Sequence, residues 1–257
     1  MVHMLTSEFR KVFLPVVITV GILTVVTCLL TLTLYKGYSL DYDLEAWEVG
    51  REILDFLFPL FVVGPVCWTL YYERKDRFLM YTLPRVSQWR YLTAKLVVAA
   101  VCAFVILFIP YVLSAVVALY VKAPILPMIR PEGTTPFSHI YLNLFIDNPL
   151  GYALALSAWK GVIGALVMGL GFLLSMYVKN IFIVLTGPFV YSILENFIWA
   201  ILRIPQYRLI TSFEPTVLSE DAIIWWSTLV GPGVLILFTG LLWFYFAKIR
   251  RLRVYEV

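Results

Sequence analysis

Two ionisable residues, Lys160 and Glu195, lie deep inside apolar stretches of the sequence. An ionisable group at membrane depth marks a function or an ion pair by default. At 1.5 Å per helical residue, Glu195 lies roughly 21 Å and Lys160 roughly 27 Å from the inner ends of their predicted helices. A lysine side chain can cover that difference, so we expect a Lys160–Glu195 ion pair. The alternative is that Lys160 extends its ammonium group to the membrane surface.

The sequence lacks the patterns that enzymes of the membrane interior use. Neither His3 nor His139 lies in an apolar stretch, so neither is placed to activate a serine nucleophile. The motif H-E-x-x-H is absent, and no predicted span carries paired acidic residues. We therefore expect no catalytic residue and no metal site in this chain. The phosphate-binding motif G-x-x-x-x-G-K-[ST] is also absent, so the chain is not expected to hydrolyse ATP.

The composition places these residues in a membrane protein. Of the 257 residues, 61% are hydrophobic and 14% are charged, and the mean hydropathy is +0.89. A soluble domain carries about 25% charged residues because it must cover its core with them. Lipid must therefore take the place of water around this chain. We expect one all-α transmembrane domain over residues 1–257.

Six apolar stretches are long enough to cross the hydrocarbon core, which takes about 20 helical residues. The predicted spans are Phe13–Tyr35, Ile53–Tyr72, Leu96–Val121, Leu150–Val178, Ile181–Leu202 and Ile224–Ala247. The fourth is too long to cross upright, so it either tilts or begins in the interface.

The distribution of lysine and arginine predicts the orientation, because these residues are enriched on the cytoplasmic side. Thirteen fall in the segments on the side of the N-terminus, and six fall on the other side: Lys36, Arg51, Lys122, Arg130, Arg203 and Arg208. Both termini are therefore expected in the cytoplasm.

The fourth span carries a small residue at every fourth position. The stripe consists of Ala153, Ser157, Gly161, Ala165 and Gly169. Small residues at this spacing let a neighbouring helix approach closely. The partner is either another helix of the same chain or a second subunit.

The largest segment on the expected cytoplasmic side joins spans two and three, from Tyr71 to Leu96. It begins with charges, turns at Pro84 and restarts with Ser87 as a plausible N-cap residue. Trp89 and neighbouring apolar residues alternate with basic ones. A short amphipathic helix of this kind binds anionic lipid or docks into a groove of a cytoplasmic partner.

This segment resembles the permease subunits of type-2 ABC transporters. In that family, a segment of the form E…L…LPVSRxxxxxxK forms the coupling helix that seats in the ATPase subunit. The matching residues here are Glu73, Leu83, Pro84, Ser87, Arg90 and Lys95, with Arg85 and Trp89 inside the same segment. The glycine-threonine pair usual in the family is replaced by Arg77-Phe78 after Asp76.

Three further segments are similar to parts of the same family. Ser7–Phe13 resembles the amphipathic helix before the first span, and Ser175–Asn180 resembles the connection between spans four and five. Residues Arg203–Ile223 stand where the family has outer re-entrant helices. The resemblance thus extends over the whole chain.

The resemblance implies a permease of an ATP-driven exporter in the plasma membrane of a bacterium. Separate ABC ATPase subunits would bind ATP and Mg²⁺, with no cofactor in this chain. A second permease copy or a paralogue would complete the translocation path, surrounded by membrane lipid and without a nucleic-acid partner. An amphipathic or hydrophobic substrate, such as a drug, peptide or lipid-like molecule, suits spans with few fixed charges.

Two other classes of protein remain as alternatives. A stand-alone secondary transporter, or the substrate-binding membrane subunit of another transporter, would place polar residues at mid-membrane, where these spans are apolar. An intramembrane enzyme would need the catalytic patterns that the sequence lacks.

Overall fold

A computed structural model describes residues 2–38, 40–76, 88–125, 142–215 and 226–249. Every regular element in these ranges is helical, as predicted. The α-helices are α1 (Val2–Leu34), α2 (Glu45–Lys75), α3 (Gln88–Val116), α4 (Leu142–Asp147), α5 (Pro149–Tyr177), α6 (Ile181–Ile201), α7 (Leu209–Phe213) and α8 (Ser227–Phe244). Short 3₁₀ turns lie at Tyr35–Gly37 and Pro205–Tyr207, and π-helical turns extend α3 and α8 at Val117–Val121 and Tyr245–Ile249.

Six of these helices, α1, α2, α3, α5, α6 and α8, are long and apolar enough to cross a membrane. The predicted number and order of the spans are therefore confirmed. The start of α1 and the end of α8 lie at the same end of the bundle. We call this the N-terminal end and the other the opposite end.

Helix α2 begins at Glu45, eight residues before the predicted start of the second span at Ile53. Glu45 and Glu48 lie in its first turn, where negative charge is favourable at the positive end of the helix dipole. A prediction from hydropathy alone does not include these charged positions in the helix.

The first helix also differs from the prediction. The sequence predicts an amphipathic helix at Ser7–Phe13 ahead of the first span, whereas α1 is one continuous helix from Val2 to Leu34 that contains Pro15. Its 33 residues extend for about 50 Å, which exceeds the thickness of the hydrocarbon core. The first turns of α1 thus continue into the first span within a single helix.

Asparagine caps fix the starts of α5 and α6. The side chain of Asn148 accepts a hydrogen bond from the Gly151 N–H at 2.9 Å, and Pro149 occupies the first turn. The side chain of Asn180 accepts one from the Phe182 N–H at 2.9 Å. Each cap satisfies a backbone donor that the helix itself leaves unpaired.

Helix α5 lies at the centre and packs closely on α3 and α2. An added Cβ at Gly161 would lie 2.6 Å from the Phe104 ring of α3, and one at Gly171 would lie 2.8 Å from Val63 of α2. Ala153 and Ser157 are fully buried. Ala153, Ser157 and Gly161 of the small-residue stripe therefore lie inside the bundle of this chain.

Helices α6 and α8 lie at the periphery. The most apolar part of α5 is 56% buried, whereas the figures for α6 and α8 are 22% and 17%. Phe182 and Phe197 of α6 are more than 60% exposed. Apolar surface of this extent must be covered by lipid or by another protein.

Candidate functional site

An interior ion network joins α2, α5 and the residue after α7. It consists of Arg51 and Asp55 of α2, Lys160 of α5, and Glu214. The Nζ atom of Lys160 lies 2.6 Å from Asp55 Oδ2 and also contacts the Glu214 carboxylate. The Nη2 atom of Arg51 lies 2.7 Å from Glu214 Oε2, without the alignment of a hydrogen bond. The positive charges of two cations and the negative charges of two carboxylates thus compensate each other inside the bundle.

Aromatic side chains surround the network. The Arg51 guanidinium lies 3.6 Å from the centre of the Trp47 ring, and the Lys160 ammonium lies 4.7 Å from that of Phe213. The Tyr111 hydroxyl of α3 donates a hydrogen bond to Asp55 Oδ1 at 2.5 Å. The side chains of Arg51 and Lys160 are at most 1% exposed. Because water does not screen these charges, losing one partner would leave another uncompensated.

Glu214 reaches the network because its segment turns back into the bundle. Phe213, at the end of α7, stacks on Phe58 of α2 with ring centres 4.0 Å apart. The Trp159 indole N–H of α5 donates a hydrogen bond to the Ser212 carbonyl at 2.8 Å. These contacts hold the α7 segment against two spanning helices.

Opposing charges determine the ionisation of Glu214. Burial raises the pKa of its carboxyl group, but the nearby Arg51 and Lys160 outweigh that effect and hold the pKa well below its ordinary value. Glu214 therefore remains negatively charged while it holds the two cations.

The predicted pairing of Lys160 with Glu195 is wrong. The carboxylate oxygens of Glu195 instead accept hydrogen bonds from the Leu209 N–H, at 3.0 and 3.1 Å. Leu209 is the first residue of α7, so Glu195 of α6 anchors the start of the segment whose end carries Glu214. Lys160 does form an ion pair at depth, but with carboxylates of other elements.

Sequence reasoning missed three of the four network residues. Arg51 was assigned to an outer loop, and Asp55 was overlooked near the start of the second span. Their spacing of four residues, with Glu48 three residues before Arg51, places the three charges on one helix face. That spacing was the available sequence signal for Arg51 and Asp55. No sequence signal points to Glu214, because its position depends on how the segment of α7 turns back into the bundle.

A second group of charges, the N-terminal ion cluster, consists of Glu8, Lys11, Glu73 and Lys95. Glu73 and Lys95 form an ion pair, and Lys95 Nζ lies 3.2 Å from Glu8 Oε2. The Nζ atom of Lys11 lies 2.7 Å from Glu8 Oε1 and 3.0 Å from Glu73 Oε1. The Lys95 side chain is 1% exposed. The cluster joins the start of α1, the end of α2 and the start of α3.

The end of α2 is also fastened to the turn between α5 and α6. The Arg74 guanidinium donates a hydrogen bond to the Val178 carbonyl, and the Tyr71 hydroxyl donates one to the Lys179 carbonyl at 2.5 Å. These contacts and the N-terminal ion cluster therefore tie five of the spanning helices together at the N-terminal end of the bundle.

The structure locates half of the residues that match the coupling segment. Glu73 and Lys95 meet in the N-terminal ion cluster, whereas Trp89 and Arg90 are exposed in the first turns of α3. The other four lie outside the described residues: Leu83, Pro84, Arg85 and Ser87. The Trp89 ring packs edge-on against Trp243 of α8, with ring centres 6.5 Å apart.

An apolar cavity of about 300 Å³ lies between α3, α5 and α8 near the N-terminal end. Trp89 and Trp243 line it, together with Gly169 of the small-residue stripe. Within the described ranges, no group of three or more His, Cys, Asp or Glu side chains could hold a metal ion.

Comparisons of the chain with models of known families, with curated proteins and with solved structures find no match. Membership of the ABC permease family therefore stays a prediction from the sequence resemblance.

Proposed function

We propose that this chain is the permease subunit of an ATP-driven exporter. It would form half of a translocation path, completed by a second copy or a paralogue, in the plasma membrane of a bacterium. Separate ATPase subunits would bind ATP and Mg²⁺ and seat on the connection between α2 and α3. The substrate would be amphipathic or hydrophobic, such as a drug, peptide or lipid-like molecule.

The observation that carries this proposal is the N-terminal ion cluster. Glu73 and Lys95 stand on either side of the proposed coupling segment and contact each other, and Glu8 and Lys11 attach the pair to α1. A coupling segment must pass the movement of an ATPase to spanning helices without bending at its ends. Ion pairs that join three helices around both ends supply that stiffness.

The test is a pull-down of the tagged full-length chain from its native membrane in a mild detergent. The wild type should retain a protein that carries a P-loop. A variant with Pro84→Ala, Arg85→Glu and Arg90→Glu should lose that protein while its melting temperature stays unchanged. Trp89 is left intact because it packs on Trp243.

The matched control is Lys36→Glu, a charge reversal at an exposed position at the opposite end of the bundle. It should retain the ATPase. If no ATPase accompanies even the wild type, the proposal fails. If Lys36→Glu releases the ATPase as readily as the coupling variant, the proposed docking position is wrong.

A stand-alone secondary transporter is the second candidate, and the interior ion network favours it. Such proteins place charged residues near the middle of the membrane to bind substrate or coupling ions. Transport by the purified chain in vesicles, driven by an ion gradient without ATP, would support this candidate over the first.

A further inference from the structure

The apolar cavity between α3, α5 and α8 is a notch in the membrane-spanning part of the bundle. Its lining includes Leu96 of α3, Phe172 and Met176 of α5, and Gly240 of α8. All of these residues lie within the candidate spans. A volume of about 300 Å³ is within the range of pockets that hold small ligands. Whatever fills the cavity must enter from the bilayer or its surface.

The chemistry of the lining favours hydrocarbon. Three aromatic residues of the lining carry a polar atom, Trp89, Tyr177 and Trp243, and two threonines contribute hydroxyl groups. Both threonines already donate hydrogen bonds to carbonyl groups of their own helices. The Thr93 hydroxyl donates to the Trp89 carbonyl at 2.8 Å, and the Thr239 hydroxyl donates to the Leu235 carbonyl at 2.8 Å. Because the threonine hydroxyls are engaged and the rest of the lining is aliphatic or aromatic, a polar ligand would lose most of its hydration there without adequate replacement.

Two glycines give the cavity its depth. An added Cβ at Gly169 or at Gly240 would meet no atom within 4 Å. Met176 at the floor is 3% exposed and Leu173 is 7% exposed. The notch thus extends from exposed side chains at its mouth to buried ones at its floor.

Two tryptophans line the mouth of the cavity, and two basic residues that do not line it lie close to them along the chain. Trp89 and Trp243 are 68% and 42% exposed, and tryptophan is enriched where spanning helices leave the hydrocarbon. Arg90 follows Trp89 in the first turns of α3, and Lys248 lies beyond Trp243 in the turn that ends α8. Both cations are exposed. Basic residues between spanning helices at this level bind the anionic headgroups of lipids.

We propose that this cavity binds one acyl chain of an anionic phospholipid, with the phosphate group between Arg90 and Lys248. The apolar lining takes the chain, the tryptophan pair lies at the level of the glycerol backbone, and the two cations select the negative headgroup. Arg90 also belongs to the proposed coupling segment, but this inference does not depend on the proposed transport function, because it concerns the contact of this chain with its membrane.

Photolabelling of the purified full-length protein in detergent tests the proposal. The probe is phosphatidylglycerol with a diazirine in one acyl chain, and cross-linked residues are mapped by mass spectrometry. Labels should concentrate on cavity residues such as Leu96 and Met176. Gly240→Phe places a ring at the notch, where an added Cβ meets no atom within 4 Å, and should lower this labelling at least fivefold.

The matched control is Gly233→Phe. Gly233 lies seven residues before Gly240 on the same face of α8, and a Cβ there also meets no atom within 4 Å. Gly233 does not line the cavity, so labelling of the Gly233→Phe variant should equal that of the wild type. Equal labelling of Gly240→Phe and the wild type would overturn the proposal, as would labels spread evenly over the exposed face of α6.

The headgroup is tested with phosphatidylcholine that carries the same diazirine chain. Phosphatidylglycerol should label the wild type at least fivefold more than phosphatidylcholine, and Arg90→Gln with Lys248→Gln should remove the difference. Equal labelling of the wild type by the two lipids would overturn the assignment of an anionic lipid. Because no ATPase is present, these outcomes are independent of the pull-down result.

Discussion

The Nζ atom of Lys160 in α5 lies 2.6 Å from a carboxylate oxygen of Asp55 in α2, and neither side chain is more than 10% exposed. The other oxygen of Asp55 accepts a hydrogen bond from Tyr111 in α3. One carboxylate thus connects three of the spanning helices. Glu214 adds the α7 segment to the same charges, so the position of that segment is coupled to the packing of the helices.

Lys160→Met should strongly destabilise the protein. The methionine matches the length of the lysine stem but leaves Asp55 and Glu214 with Arg51 as the remaining cation of the network. Breaking a buried ion pair by removing one partner costs about 3–5 kcal/mol. Thermal unfolding of the purified protein in detergent measures the change.

The control for this prediction is Lys36→Met, because Lys36 is exposed. It should change the free energy of unfolding by no more than about 0.5 kcal/mol. Adding Asp55→Asn to Lys160→Met should restore part of the loss, since the unpaired carboxylate is then removed. Equal stability of Lys160→Met and the wild type would contradict the network.

Glu214→Gln should release the α7 segment without unfolding the bundle. The neutral amide has nearly the same shape but no longer attracts Arg51 and Lys160. We expect amide hydrogen exchange at residues 209–215 to become about tenfold faster, which corresponds to about 1.4 kcal/mol of local stability. Exchange within α5 should stay slow.

Glu52→Gln is the matched control for Glu214→Gln, since Glu52 lies on the exposed face of α2. Its exchange pattern should be that of the wild type. If residues 209–215 exchange equally slowly in both variants, aromatic stacking of Phe213 on Phe58 holds the segment and the ion pairs do not.

Gly231→Ala should destabilise the contact between α8 and α7. An added Cβ at Gly231 would lie 2.7 Å from Leu209 Cα and 2.7 Å from Ser212 Oγ. One of the two helices must move to relieve that overlap, which we expect to cost about 1–3 kcal/mol. The melting temperature in detergent measures the loss.

Gly233→Ala is the control two residues further along α8, where an added Cβ meets no atom within 4 Å. Since alanine is the better helix former, this change should be neutral or stabilise the protein by up to about 1 kcal/mol. A common response of the two variants would show that helix propensity, and not the close approach to α7, determines the effect.

Asp43 should contribute stability that depends on pH. Its carboxylate accepts hydrogen bonds from the Lys122 ammonium at 2.7 Å and from the Ile125 N–H at 2.9 Å. Partial burial raises the pKa of Asp43, but these two bonds outweigh it, so the pKa lies below its ordinary value. A lowered pKa in the folded state means that the stabilisation is complete above the unfolded pKa and is lost as the pH falls through the folded one.

Asp43→Asn should therefore lower the free energy of unfolding at neutral pH by about 1 kcal/mol or less, because the carboxylate is partly exposed. The difference from the wild type should be constant near pH 7 and shrink below the ordinary aspartate pKa of about 3.9. Chemical unfolding in detergent at a series of pH values measures it. A difference that grows on acidification would contradict the sign.

The sequence was sufficient to predict the spans because each one is a continuous apolar stretch. The sequence predicts six spans, and the described part of the chain contains six helices long and apolar enough to cross a membrane. Such helices are favoured because every backbone polar group in lipid must be paired within its own helix. The start of α2 could not be predicted from hydropathy, because Glu48 and Arg51 are charged and lie before the apolar stretch. Their charges are compensated in the fold, which makes those helical turns compatible with the bundle interior.

By itself, the sequence determined that Lys160 lies at membrane depth and needs a counter-charge, because leaving a lysine unpaired in hydrocarbon is costly. Only the tertiary structure decided which carboxylates supply it. Glu195 is close in predicted depth, but its oxygens accept hydrogen bonds from the Leu209 N–H, whereas the return of the chain through α7 brings Glu214 to Lys160. Depth follows from the rise of a single helix, whereas the choice of partner depends on how the helices are rotated and connected in the bundle.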